Sequence, residues 1–290
     1  MTLSNTSPHI LIFDSGVGGL SVFTHISSAL PNATFSYVMD DVFCPYGDRD
    51  DGSLLPRIVS VIDRAIQQCR PQLVVVACNT ASTLAIEVLR KKFTIPFVGL
   101  EPALKPAVEE TSGGAVVLLA TEATLGRHSV DQLWGRVGRG RQLIKVACPE
   151  LVFLAEQKMR GATINYRDLC FVFDALEGVD LLSDASDQKV AAIVLGCTHF
   201  PLLSEELKRA WPAPCQWLDS GAAISRRVMT LVDGSPSRVL DQTENLWWRT
   251  SAGSDLPLQR AFSRRGFIAA GQLILGENYS AKNSTREEYS

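Results

Sequence analysis

The chain has 290 residues, which at roughly 150 residues per domain predicts two domains. Hydrophobic residues make up 46% and charged residues 20%, a composition that supports two sizeable cores. The formal net charge of -3 excludes a global basic field, so neither nucleic acid nor an anionic membrane surface is an expected partner. The opening MTLSNTSPH has no apolar signal region, and the most apolar run, 73–78, is too short to span a bilayer. A cytoplasmic protein is expected.

In chain order, short apolar runs predict strands over 9–13, 35–39, 73–77, 97–100, 115–120, 143–146, 192–195 and 216–218. They are rich in Val, Ile and Leu with little polar alternation, as in strands covered on both faces. Between them, helical patterns fall at 19–30, 54–68, 81–93, 102–110, 130–134, 148–160, 165–176, 202–209 and 222–231. This alternation predicts an α/β protein whose sheets are mainly parallel and flanked by helices. Pro102, Pro106 and the Gly113-Gly114 pair make 100–114 a crossing between domains. A return crossing is expected near Trp211-Pro212-Ala213-Pro214. The expected division is therefore 1–100 plus 212–290 for the first domain and 101–211 for the second. The polar tail from Glu277 is expected to be loose.

Ligands of open α/β sheets gather at the carboxyl ends of strands, where helix N-termini also point. Four such ends carry unusual residues. Asp14-Ser15-Gly16-Val17-Gly18-Gly19 joins a strand to a helix through glycines. It lacks the spacing of a nucleotide loop, and its plain alternative is a tight turn capped by Asp14 or Ser15. Cys44-Pro45-Tyr46-Gly47-Asp48-Arg49 is a turn with one aromatic, otherwise a surface loop. Cys78-Asn79-Thr80 and Cys197-Thr198-His199 each end an apolar strand and lead into a helix.

The chain has seven cysteines, irregularly spaced and without C-x-x-C, which excludes a disulfide framework and a zinc ribbon. In a reducing compartment most are packed thiols, as expected for Cys69, Cys148, Cys170 and Cys215. Cys78 and Cys197 differ because their contexts match. A thiol at a helix N-terminus gains thiolate character, and neighbouring Asn and Thr side chains can hydrogen-bond a small polar ligand. Only four histidines are present and Cys197 and His199 are too close in sequence for an easy chelate, so no metal site is expected. Cys78 as a hydrolase nucleophile with His199 as base is open by residue type, but leaves Cys197 without a task. Two facing thiols suit inversion of a carbon acid, where one group removes a proton and the other delivers one from the opposite face. A binding module in which both cysteines merely pack is the remaining alternative.

FDSGVGGLSV (13–22), PYGDR (45–49), VACNTAS (76–82), GLEPALKPA (99–107), LGCTHFPLL (195–203) and DSGAAISRRV (219–228) together resemble the glutamate racemases of the aspartate/glutamate racemase superfamily. The resemblance implies two similar α/β domains with the active site in the cleft between them, no cofactor, and interconversion of L- and D-glutamate for peptidoglycan synthesis. It implies catalytic roles for Cys78, Cys197, Asp14, His199 and Glu156, the last orienting His199. It implies substrate contacts from Asp14, Ser15, Tyr46, Gly47, Asn79, Thr80, Thr121, Thr124, Thr198 and His199, and a homodimer. Aspartate racemases are the nearest rivals, and the FDSGVGG and GCTHFP contexts favour glutamate. The chain departs from the pattern at Glu122-Ala123, where a Gly-Thr pair is common. It departs again at Arg49, where lysine is common, and at Cys44, where the position is usually apolar.

Overall fold

The computed structural model describes residues 7–174, 176, 189–211, 213–233 and 244–275. In order the elements are β1 (His9–Asp14), α1 (Gly19–Ala29), β2 (Thr34–Met39), α2 (Asp51–Cys69), β3 (Leu73–Val76), α3 (Asn79–Lys92) and β4 (Phe97–Gly99). Next come α4 (Leu104–Glu109), β5 (Ala115–Ala120), α5 (Glu122–Leu125), α6 (His128–Val137), β6 (Leu143–Ala147), α7 (Glu150–Met159), α8 (Cys170–Asp174), β7 (Val190–Leu195), α9 (Ser204–Ala210) and β8 (Gln216–Leu218). The last described elements are α10 (Gly221–Asp233), β9 (Asn245–Arg249), α11 (Leu256–Ser263) and β10 (Phe267–Gln272).

Two parallel sheets result. One has the order β10-β9-β2-β1-β3-β4 and the other β6-β5-β7-β8. Side chains of a strand alternate between faces, and both faces here are apolar. In β1, Ile10 and Ile12 enter the core under α1, α10 and α11, while Leu11 and Phe13 enter the one under α2 and α3. In β5, Val117 and Leu119 pack toward α7, and Val116 and Leu118 toward α4 and α6. The result is a two-domain α/β architecture, each domain a parallel sheet between helices.

One expected boundary is wrong. β8 pairs with β7, so 216–218 belongs to the second sheet and the return crossing follows Leu218 rather than lying at 211–214. Ile224 and Val228 of α10 are then back in the first core. The two crossings lie side by side: Ser220 Oγ donates to the carbonyl of Glu101 at 2.6 Å. Pro212 and the tail from Glu277 lie outside the described residues. The predicted helix 165–176 is a 3-10 turn, Tyr166–Leu169, followed by α8, with position 175 also outside. The sequence reading missed β9, α11 and β10. No helix among the described residues is long and apolar enough to cross a membrane.

Candidate active site

The carboxyl ends of β1, β3, β5 and β7 converge on the seam between the sheets. Cys78 ends the β3 segment as the residue capping α3, and Cys197 follows β7. Both are nearly buried, at 7% and 9% exposure. The two loops are tied together, because Asn79 Nδ2 donates to the carbonyl of Gly196.

Each thiol has its own polar neighbour. On one side Ser15 Oγ lies 3.9 Å from Cys78 Sγ, and Asp14 is the next residue. Asp14 is fully buried. Its Oδ1 accepts from the N–H of Gly16 at 2.8 Å, and its Oδ2 from Thr198 Oγ1 of the other domain at 2.9 Å. Neither Asp14 nor Ser15 caps α1, which has no side-chain cap. Burial lifts the Asp14 carboxyl to about 6, against the pull of His199 and its two hydrogen bonds. Burial first, and then the Asp14 charge, push the Cys78 thiol up, so the resting group is protonated.

On the other side His199 Nδ1 lies 3.9 Å from Cys197 Sγ, and His199 Nε2 is 2.9 Å from Glu156 Oε1. Burial opposes a charged imidazole, but hydrogen bonds to Cys197 and Glu156 and the charges of Cys197 and Asp14 raise His199 well above the ordinary histidine range. Glu156 is held down at about 2. Burial works against ionisation, but His199, Arg160 and the N–H of Val17 outweigh it. Arg160 donates to Glu156 Oε2 at 2.6 Å and to Asp255 Oδ2 at 2.9 Å.

The glycines of the first loop are required by this crowding. A Cβ on Gly16 would stand 2.1 Å from Glu156 Oε1, and one on Gly18 would stand 2.5 Å from Thr198 Oγ1 and 2.6 Å from His199 Nδ1. The loop and the Thr198-His199 segment touch through bare backbone.

Toward the mouth, Thr80 Oγ1 lies 3.4 Å from Thr121 Oγ1, which donates to Thr124 Oγ1 at 3.2 Å. Thr121 caps α5, so the Glu122-Ala123 departure forms one helical turn and leaves both threonines in place. A Cβ on Gly47 would meet Thr121 at 2.9 Å, so this turn lies against the same hydroxyls. Tyr46, the residue before Gly47, directs its side chain away from these hydroxyls. Its ring is in the core and its hydroxyl donates to Asp40 Oδ2 at 2.7 Å. Arg49 folds back onto the carbonyl of Phe43.

Sequence reasoning missed Asp40 and Arg160. Asp40 follows β2 as Asp14 ends β1, and accepts from Tyr46, Arg57 and Thr250. Arg160 lies four residues after Glu156, the helical spacing that signals a pair. Among the described residues, Asn79 Oδ1 is buried without a hydrogen-bond partner. Among the described residues, the metal-capable cluster is not the Cys197-His199 pair weighed from sequence. It is Cys44, Glu156 and His199, whose donor atoms all lie within 4.8 Å of one another.

Residues 27–228 match the family described as Asp/Glu/hydantoin racemase. The chain belongs to that racemase family. A glutamate racemase of Pectobacterium carotovorum subsp. carotovorum (strain PC1) is 41% identical over 239 residues, 82% of this chain and 81% of the relative. The Escherichia coli glutamate racemase, solved in complex with L-glutamate and the activator UDP-MurNAc-Ala, superimposes with a TM-score of 0.83 at 36% identity, covering 91% of this chain and 97% of that one. The racemase of Aquifex pyrophilus gives a TM-score of 0.64 at 27% identity, over 88% and 94% of the two chains.

Proposed function

We propose that this racemase-family protein interconverts L- and D-glutamate by proton exchange at the α-carbon, with Cys78 and Cys197 as the two proton-transfer groups on opposite faces. One observation carries this reading: two buried thiols end matching strands of the two sheets, joined across the seam by Asn79 and Gly196, with Ser15, next to Asp14, beside one and His199 beside the other. Exchange of the α-proton is redox-neutral, so two groups that trade a proton suffice and no cofactor is invoked.

In this reading Cys78 serves the D-glutamate face and Cys197 the L-glutamate face. The substrate ammonium sits by Asp14 and the free Asn79 Oδ1, an acceptor that burial makes costly to leave unpaired. Its positive charge relieves the repulsion that Asp14 imposes on a Cys78 thiolate. His199, steadied by Glu156, relays a proton to or from Cys197. Thr80, Thr121, Thr124 and the Gly47 backbone take a carboxylate, while Ser15 and Thr198 close the inner end.

The E. coli relative's activator suggests an effector for this chain too. A cavity of about 560 Å³ lies on the seam by the crossings, lined by Arg90, Glu101, Ser129, Ser220 and Arg227. Its two arginines suit the diphosphate of such a nucleotide. Cytoplasmic residence, supply of D-glutamate to peptidoglycan and a homodimer complete the proposal.

Turnover in deuterium oxide tests it. Deuterium appears at the α-carbon of either glutamate enantiomer, and far less with D-aspartate, which is one methylene shorter. Folded protein that exchanges neither glutamate enantiomer is not a glutamate racemase.

A further inference from the structure

We propose that Cys44, Glu156 and His199 form a binding site for a soft divalent cation, Zn²⁺ or Cd²⁺, and that filling it stops turnover. Thiolate, imidazole and carboxylate are the donor types these ions select, and three protein donors leave the fourth tetrahedral position open to water. The three donor atoms lie within 4.8 Å of one another, with His199 Nε2 and Glu156 Oε1 already 2.9 Å apart. Bonds of about 2.0 Å to nitrogen and oxygen and about 2.3 Å to sulfur place such donors roughly 3.3–3.8 Å apart. The imidazole and the carboxylate therefore part by about half an ångström to admit the ion.

The missing side chain of Gly16 is what lets all three donors crowd this loop. The three nearest atoms to the side chain it lacks are Glu156 Oε1 at 2.1 Å, His199 Nε2 at 2.9 Å and Cys44 Sγ at 3.1 Å. Arg160 grips the second oxygen of Glu156 at 2.6 Å and fixes the carboxylate that would bind the metal. Cys44 is half-buried, and burial together with the charges of Glu156 and Asp14 keeps its thiol protonated, while His199 Nε2 carries the proton it donates to Glu156, so binding releases both protons to solvent. Occupied, the site draws His199 away from its place beside Cys197. Binding is independent of the racemase reading; only the inhibition rests on it.

The test is a Cd²⁺ titration followed by the ultraviolet thiolate-to-cadmium charge-transfer band. In a Cys78→Ser/Cys197→Ser background the band appears and saturates at one equivalent. Adding Cys44→Ser removes it or weakens the affinity at least about tenfold. In protein retaining both proton-transfer thiols, Cys44→Ser leaves metal-free turnover unchanged and raises the Zn²⁺ concentration for half-inhibition at least about tenfold. Titration curves that coincide with and without Cys44 overturn the site. A metal band lost with Cys44 in a protein without glutamate turnover overturns only the inhibition. Cys44→Ala, read the same way with near-ultraviolet circular dichroism as a folding control, guards against a defect peculiar to serine.

Discussion

Replacing Gly18 with alanine adds one methyl group at the seam between the two domains. Gly18 has φ -55° and ψ -39°, right-handed values that any residue adopts, so the backbone itself does not resist the change. The obstacle lies across the seam. The new Cβ would stand 2.5 Å from Thr198 Oγ1, 2.6 Å from His199 Nδ1 and 2.9 Å from His199 Cε1, where ordinary contact begins near 3.4 Å. The Thr198-His199 segment must retreat by about 0.9 Å. That retreat stretches the 2.9 Å bond from Thr198 to Asp14 and carries the adjacent Cys197 with it. A displacement of about 1 Å between reacting groups costs about 100-fold in rate, which is the expected fall in kcat. Stability changes far less. The weakened hydrogen bond and the more rigid alanine oppose each other, leaving about 1 kcal/mol and a Tm change of about 2–4 °C. Gly135 is the control, because nothing lies within 4 Å of its missing Cβ. On α6, Gly135→Ala leaves turnover intact and stabilises by up to about 1 kcal/mol. The assay is circular dichroism of racemisation beside thermal unfolding. A Gly18→Ala protein within about threefold of wild-type kcat refutes the geometry.

Cys78→Ser and Cys197→Ser each remove most racemisation in both directions, measured by enantiomer-specific assay; full-rate turnover by either variant breaks the pairing. Asp14 carries a carboxyl raised from 3.8 to about 6, so its ionisation costs stability fully above pH 6 and not at all below pH 4. Asp14→Asn therefore unfolds at a higher temperature than wild type at pH 8, an advantage that vanishes by pH 4, while turnover falls at both. Glu156 has the opposite sign. Its carboxyl is lowered from 4.5 to about 2, so it contributes stability above pH 4.5 that is lost as pH falls toward 2. Glu156→Gln lowers Tm at pH 7, with a deficit that closes in acid, and lowers kcat by about 100-fold or more through the loss of His199's partner.

The strands lining the cleft were legible because β1, β3, β5 and β7 are buried on both faces and read as unbroken apolar runs. Their ends were legible for the same reason: Asp14, Cys78 and Cys197 interrupt such runs with reactive groups. The β9-α11-β10 unit was not. In β10, Phe267 is buried but 268–272 is exposed, with a bulge at Ala269–Gly271, so its short Phe-Ile-Ala-Ala run breaks at a glycine and lacks the Val/Ile/Leu content of the covered strands. β9 is five residues long and is fixed by the stacking of Trp247 on Phe262, centroids 4.2 Å apart, a contact that no local pattern announces. The anchoring of the Tyr46 hydroxyl was not legible, because Asp40, which accepts from it, is brought near only by folding. The domain boundary failed at β8, where three residues pair with β7 after the prolines that looked like a crossing.

The anchoring of Tyr46 also sets an order of events during synthesis. Asp40 holds the Tyr46 hydroxyl and is itself held by Thr250, and β9 beside Thr250 pairs with β2, in register Ser36 to Leu246. A ribosome therefore releases all of the second sheet before it releases the strand that completes the first. Until β9 docks, β2 is an open edge, the kind of surface that recruits a neighbouring chain. The protein stays inert, and most exposed to aggregation, until the β9-α11-β10 unit has emerged.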